Sequence, residues 1–174
     1  MTIDDCEYSF DQLALEVLPR YLEQLRNRMG KPIPMREFGV KGVGPKALQA
    51  RYGLARDPSG CYVLIENAKP IYVGISQHVI QRLLEHVRGG DHLTATLAYR
   101  VARARHHHGA TAAQAMQNPS FRAAFDEAVA YILSLDAAFI EISNPLELYV
   151  FEAYAAMELQ TGLDAGGWNT FVTH

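Results

Sequence analysis

Residues 60–76 constrain the fold more than any other stretch: Gly60-Cys61-Tyr62-Val63-Leu64-Ile65-Glu66, then Asn67-Ala68-Lys69-Pro70, then Ile71-Tyr72-Val73-Gly74-Ile75-Ser76. Two runs rich in β-branched and aromatic residues flank a polar segment, which predicts a β-hairpin. Folding about Asn67, as an odd-numbered loop would, sets Tyr62 opposite Tyr72 on one face. Pro70 then opens the second strand, where a missing N–H is tolerated. Gly74 ends that strand, and Ser76 is the expected N-cap of a helix after it.

In the next segment, Val79, Ile80, Leu83, Leu84 and Val87 form an apolar stripe at helical spacing. Arg82 and His86 are i,i+4 neighbours on one edge of that stripe. From there a cation and an imidazole can reach across the exposed face of the hairpin towards the two tyrosines.

Elsewhere the chain alternates helical and loop-rich segments. Residues 10–29 read as an amphipathic helix, with Pro19 as a kink point and Gly30 as C-cap. Residues 31–59 are rich in Gly and Pro. Between Arg20 and Arg56 nine basic residues face two acidic ones, while the first sixteen residues are acidic. Val40-Lys41-Gly42-Val43-Gly44-Pro45-Lys46 is similar to the hairpin of a helix-hairpin-helix element, whose glycines open backbone N–H groups to a phosphate. That element needs a helix before the hairpin, for which Pro32 and Pro34 leave little room, so a Gly-Pro turn before a helix at 45–51 is the favoured reading. Residues 91–136 read as an insertion of two helices, 94–105 with a basic side of Arg100, Arg103 and Arg105, and about 119–134. His106-His107-His108 point in three directions on a helix and do not suggest one metal site.

Residues 137–142 read as a third strand. Asn144-Pro145-Leu146-Glu147 then predicts a capping box opening a helix that runs to about 160. Around that helix Glu158 lies about 20° from Glu147, but Glu152 about 140° away, among Phe151, Ala153, Ala155 and Ala156. A carboxylate on an apolar face wants a cation, either a divalent metal or an arginine such as Arg82. A Gly-rich turn holds Asn169.

Gly60-Cys61-Tyr62, Tyr72-Val73-Gly74, Arg82, His86, Glu152 and Asn169, in that order, resemble the GIY-YIG nuclease domain over about residues 60–174. Cysteine and valine stand where that family usually has isoleucine. The resemblance implies an α/β fold: a small three-stranded, mainly antiparallel sheet flanked by helices, with an N-terminal helical extension (1–59) and a helical insertion. It implies a metal-dependent endonuclease hydrolysing phosphodiester bonds of nucleic acid, DNA being the expected form. The catalytic set would be Tyr62, Tyr72, Arg82, His86, Glu152 and Asn169. Tyr62 would be the general base, and Glu152 the ligand of one Mg²⁺ or Mn²⁺. Arg88, Arg100, Arg103, Arg105, Lys41 and Lys46 would contact the nucleic acid from outside the catalytic set.

The 174 residues are enough for one domain, and 49% are hydrophobic, enough for a real core. A net charge of −3 limits nucleic-acid binding to local patches. Two cysteines and an acidic start without an apolar run suggest neither a disulfide framework nor a signal peptide, so the cytoplasm is the expected compartment and no membrane partner is expected. Three other readings stay open. One is an inactive nucleic-acid-binding relative, and one a nuclease for RNA or for a repair intermediate. The third is an unrelated α/β regulatory or ligand-binding protein, in which Glu152 would sit in an ion pair away from the tyrosines.

Overall fold

A computed structural model describes residues 3–106 and 111–171, so His107 and His108 of the histidine run lie outside the described residues. In chain order the elements are α1 (Phe10–Gln12), a π-helical segment (Leu13–Val17), α2 (Leu18–Met29), β1 (Ile33–Pro34), a 3₁₀ turn (Met35–Glu37) and α3 (Pro45–Arg51). Then come β2 (Gly60–Glu66), β3 (Lys69–Ser76), α4 (Val79–Arg88), α5 (Thr96–Arg105), α6 (Ala112–Gln117), α7 (Pro119–Leu133), β4 (Asp136–Glu141) and α8 (Pro145–Glu158). The sheet has four strands in the order β1-β4-β2-β3, every pair antiparallel. The expected three strands are all there. The fourth, β1, is two residues long and too short to carry a periodic signal.

The hairpin forms with a different register from the one expected. Asn67 and Ala68 both have positive φ, 49° and 65°, and make a two-residue turn. Near that turn Glu66 faces Lys69 and Ile65 faces Pro70; beyond it Leu64 faces Tyr72 and Tyr62 faces Gly74. Ile71 is the extra residue of a β-bulge. Tyr62 is therefore not opposite Tyr72 but diagonal to it. The two still share a face, because the bulge restores the parity that the short turn would have reversed.

One face of the sheet carries Tyr62, Leu64, Ile71 and Tyr72 and packs against α4, α5, α6 and α7, with Met35, Phe38 and Leu48 at its margin. The other carries Cys61, Val63, Ile65 and Val73 and packs against α2 and α8. Residues before 60 thus supply a strand and part of both cores. The π-helical segment sits just ahead of Pro19, whose missing N–H cannot serve Leu15; the Leu18 N–H reaches Leu13 O instead. The segment before the 40–44 hairpin is a single 3₁₀ turn, so the first helix of a helix-hairpin-helix frame does not form. In α8, Asn144 caps the Glu147 N–H at 3.1 Å, but the reciprocal half of the capping box is absent. The buried Glu147 carboxylate accepts the Tyr21 hydroxyl at 2.7 Å instead. That contact comes from a helix 126 positions away and has no local sequence signal.

Two glycines are dictated by close approach. A Cβ on Gly60 would collide with the Ile140 carbonyl, and one on Gly74 would sit 2.5 Å from the Tyr62 hydroxyl oxygen. The Tyr62 ring is itself buried and has no space to swing away. Gly74→Ala is therefore expected to cost about 1–3 kcal/mol in urea unfolding, whereas Gly90→Ala, with open space at its Cβ position, stays within about 0.5 kcal/mol.

Candidate active site

The stripe on α4 faces the core, and its edge delivers His86 and Arg82 to the tyrosine face, as the spacing predicts. The Tyr62 hydroxyl lies 2.7 Å from His86 Nε2. The Tyr62 and Tyr72 ring centroids are 6.2 Å apart, and Tyr72 and His86 meet edge-on at 6.1 Å. The expectation that this face of the hairpin is exposed needs correction. Tyr62 is 1% exposed and His86 fully buried, because the helices at 96–133 cover this face; Tyr72 is only partly covered.

Burial pushes the Tyr62 phenol well above its ordinary range, and the Tyr72 phenol beside it adds to this against a smaller downward pull from Arg82. Burial likewise raises Tyr72, opposed by the charges of Arg100 and then Arg82. His86 is held neutral, its pKa lowered to about 3 by burial and then by Arg82. Its Nδ1 has no hydrogen-bond partner among the described residues. Arg82 pairs with Glu85 at 3.2 Å and donates to the Thr94 carbonyl at 2.9 Å and the Thr96 hydroxyl. It fixes the start of α5 while keeping its charge on both phenols.

Glu152 projects from α8, partly buried, and burial raises its pKa, opposed by Arg100. Its charge acts on Tyr72 and on Cys61. Among the described residues it makes no hydrogen bond and no salt bridge, and Arg82 is engaged by Glu85 rather than by Glu152. A partly desolvated carboxylate that is in no salt bridge fits a hard divalent ion. Among the described residues no three His, Cys, Asp or Glu side chains gather into a metal cage. Glu152 would thus be a single protein ligand, the rest of the shell being water and substrate oxygens.

Asn169 is buried and acts on the backbone. Its Oδ1 accepts the Val73 N–H at 2.7 Å and the Thr161 hydroxyl at 2.8 Å, and its Nδ2 donates to the Val73 carbonyl at 2.8 Å. The amide therefore pairs with edge strand β3 as a neighbouring peptide would. Arg88 binds the Phe38 and Val40 carbonyls at 2.7 and 2.6 Å and ties α4 to the 38–40 segment. Lys41, Lys46, Arg103 and Arg105 are exposed; Arg105 lies over the Tyr131 ring. Arg100, expected to contact nucleic acid from outside the catalytic set, lies near enough to act on two of its residues. It donates to the Trp168 carbonyl at 2.7 Å, and its charge acts on Tyr72 and Glu152. The basic side of the 94–105 helix was the only sequence signal for it. No family model, curated protein or solved structure matches this chain.

The buried neutral His86 makes stability depend on pH. Its folded pKa, about 3, lies below the ordinary value of 6.5, so between these values the unfolded chain binds the extra proton. Its contribution is full above about pH 6.5 and is lost as pH falls towards 3, at up to about 1.4 kcal/mol per pH unit. Urea unfolding of His86→Gln between those pH values should lack this part of the slope, and an unchanged slope would place the proton uptake elsewhere.

Proposed function

We propose that the protein is a divalent-metal-dependent endonuclease of the GIY-YIG kind, acting on nucleic acid, with DNA as the expected substrate. One observation carries the reading: Tyr62, Tyr72, His86 and Arg82 converge on one sheet face, and Glu152, from the helix on the other face, acts on Tyr72 with its charge and forms no salt bridge among the described residues. An unrelated fold that shared the motif by chance would be expected to hold Glu152 in an ion pair, and none forms among the described residues. Among the described residues no helix is long and apolar enough to cross a membrane.

The reaction is attack of water on a phosphodiester, with the P–O bond to the leaving oxygen breaking in line. Arg82 holds a positive charge near the phenols and stabilises the charge that builds on the phosphoryl oxygens. The buried Tyr62 phenol is a poor base alone. Its 2.7 Å contact to neutral His86 allows a relay: water gives its proton to the Tyr62 oxygen as the Tyr62 proton passes to Nε2. The negative charge of a bound phosphodiester would stabilise the imidazolium formed by that transfer, against the burial and then the Arg82 charge that hold His86 neutral. Tyr72, more open, orients the water or a phosphate oxygen. A cation at Glu152 would supply charge neutralisation at the leaving oxygen.

Nicking of supercoiled plasmid with Mg²⁺ or EDTA tests the reading. Wild type should nick only with Mg²⁺, and Glu152→Gln should lose about a hundredfold or more while still binding DNA. Glu147→Gln should stay within about threefold, because its carboxylate serves the Tyr21 hydroxyl. Nicking that survives EDTA, or an undiminished Glu152→Gln, would rule out the metal mechanism. DNA binding without nicking by wild type would make this a binding protein.

A further inference from the structure

β3 is the outer strand of the sheet, and the C-terminal segment closes its free edge on both sides of Tyr72. Trp168 donates its N–H to the Ile71 carbonyl at 2.7 Å, and the Asn169 amide brackets Val73. Arg100 reaches this edge from α5 and donates one Nη1–H to the Trp168 carbonyl. α5 is held at its start by Arg82 through Thr94 and Thr96. Two arginines, one at each end of this connection, therefore stand at Tyr72.

The Trp168 carbonyl is the single hydrogen-bond partner of Arg100 among the described residues. A guanidinium has five N–H donors in a planar fork, so most of its capacity is unused. The charge of Arg100 acts on Glu152, yet the two form no salt bridge. Opposite charges that share a neighbourhood without pairing are each left open to a group from outside. For a partly buried guanidinium, the matching group is a pair of phosphate oxygens.

We propose that Arg100 is a second phosphate-binding guanidinium of this site, contacting a nucleic-acid phosphate beside the one held by Arg82, with α5 and the 168–169 segment forming the wall it acts from. The inference rests on the nuclease reading for the identity of its ligand, a phosphodiester rather than free phosphate. It moves Arg100 from the periphery of the site to its interior.

Calorimetric titration without divalent metal tests it, using thymidine 3′,5′-bisphosphate, inorganic phosphate and a short DNA duplex over a NaCl series. Trp168, the one tryptophan of the chain, reports by its emission whether the segment stays docked. Arg100→Gln should weaken the bisphosphate and the duplex by about ten- to a hundredfold and lower the duplex salt slope by about one. Arg100→Lys keeps the charge and a donor for the Trp168 carbonyl. It should retain the wild-type emission and salt slope with intermediate affinity. Arg26→Gln, at an exposed position of α2 on the other face of the sheet, should leave bisphosphate affinity within about threefold. A purely structural Arg100 would change emission and stability but not the salt slope, and that result overturns the proposal. So does wild type that fails to bind the bisphosphate, or that binds inorganic phosphate as tightly. Binding through Arg100 by a wild type that does not nick plasmid sinks the nuclease reading and leaves this inference standing. Nicking by wild type with full-strength binding by Arg100→Gln does the reverse.

Discussion

The candidate site depends on one extra residue in a strand. A two-residue turn at Asn67-Ala68 sets a register in which Tyr62 and Tyr72 would point to opposite faces, and the bulge at Ile71 cancels that parity. Both Ile71 and Tyr72 then belong to the core beneath α4, α5 and α7, while Val73 belongs to the core beneath α2 and α8. Gly74 completes the arrangement by leaving room for the Tyr62 ring on the neighbouring strand. The spacing of the hairpin's tyrosines and glycines is set by this geometry before any chemistry is considered.

Burial then sets the electrostatics. Two phenols and an imidazole share a volume from which water is largely excluded, so each keeps its neutral form. Arg82 is the exception. Burial pulls its pKa down, and the phenols and Glu85 more than offset this, so it stays charged. In a medium of low dielectric its field reaches both phenols with little screening. Arg82 also anchors the start of α5, so the cation beside the phenols and the helix covering them are positioned together.

An outer strand exposes unpaired backbone groups, and β3 has two devices that cover them: the Trp168 N–H on Ile71, and the Asn169 side chain on Val73. Both flank Tyr72. The 3₁₀ turn Leu163–Ala165 and the left-handed Gly166 bring the chain back to that edge after α8. Asn169 is thereby an architectural residue whose effect on the site passes through β3. Arg100 connects the same segment to the helical layer.

Much of this was legible in the sequence. Alternation and turn chemistry marked the hairpin, the apolar stripe put Arg82 and His86 on one edge of α4, and the wheel around α8 separated Glu152 from Glu147 and Glu158. These are local properties, set by periods of about 2 and 3.6 residues. The bulge, the strand at Ile33–Pro34, the Tyr21 hydroxyl on Glu147, the depth of Tyr62 and His86, and the place of Arg100 were not legible. Each depends on contacts between segments far apart in the chain, and no local pattern encodes which partner a side chain meets. The sequence by itself determined which residues share a face of each element. Tertiary structure decided which faces meet, and so which of those residues are buried, paired or left open.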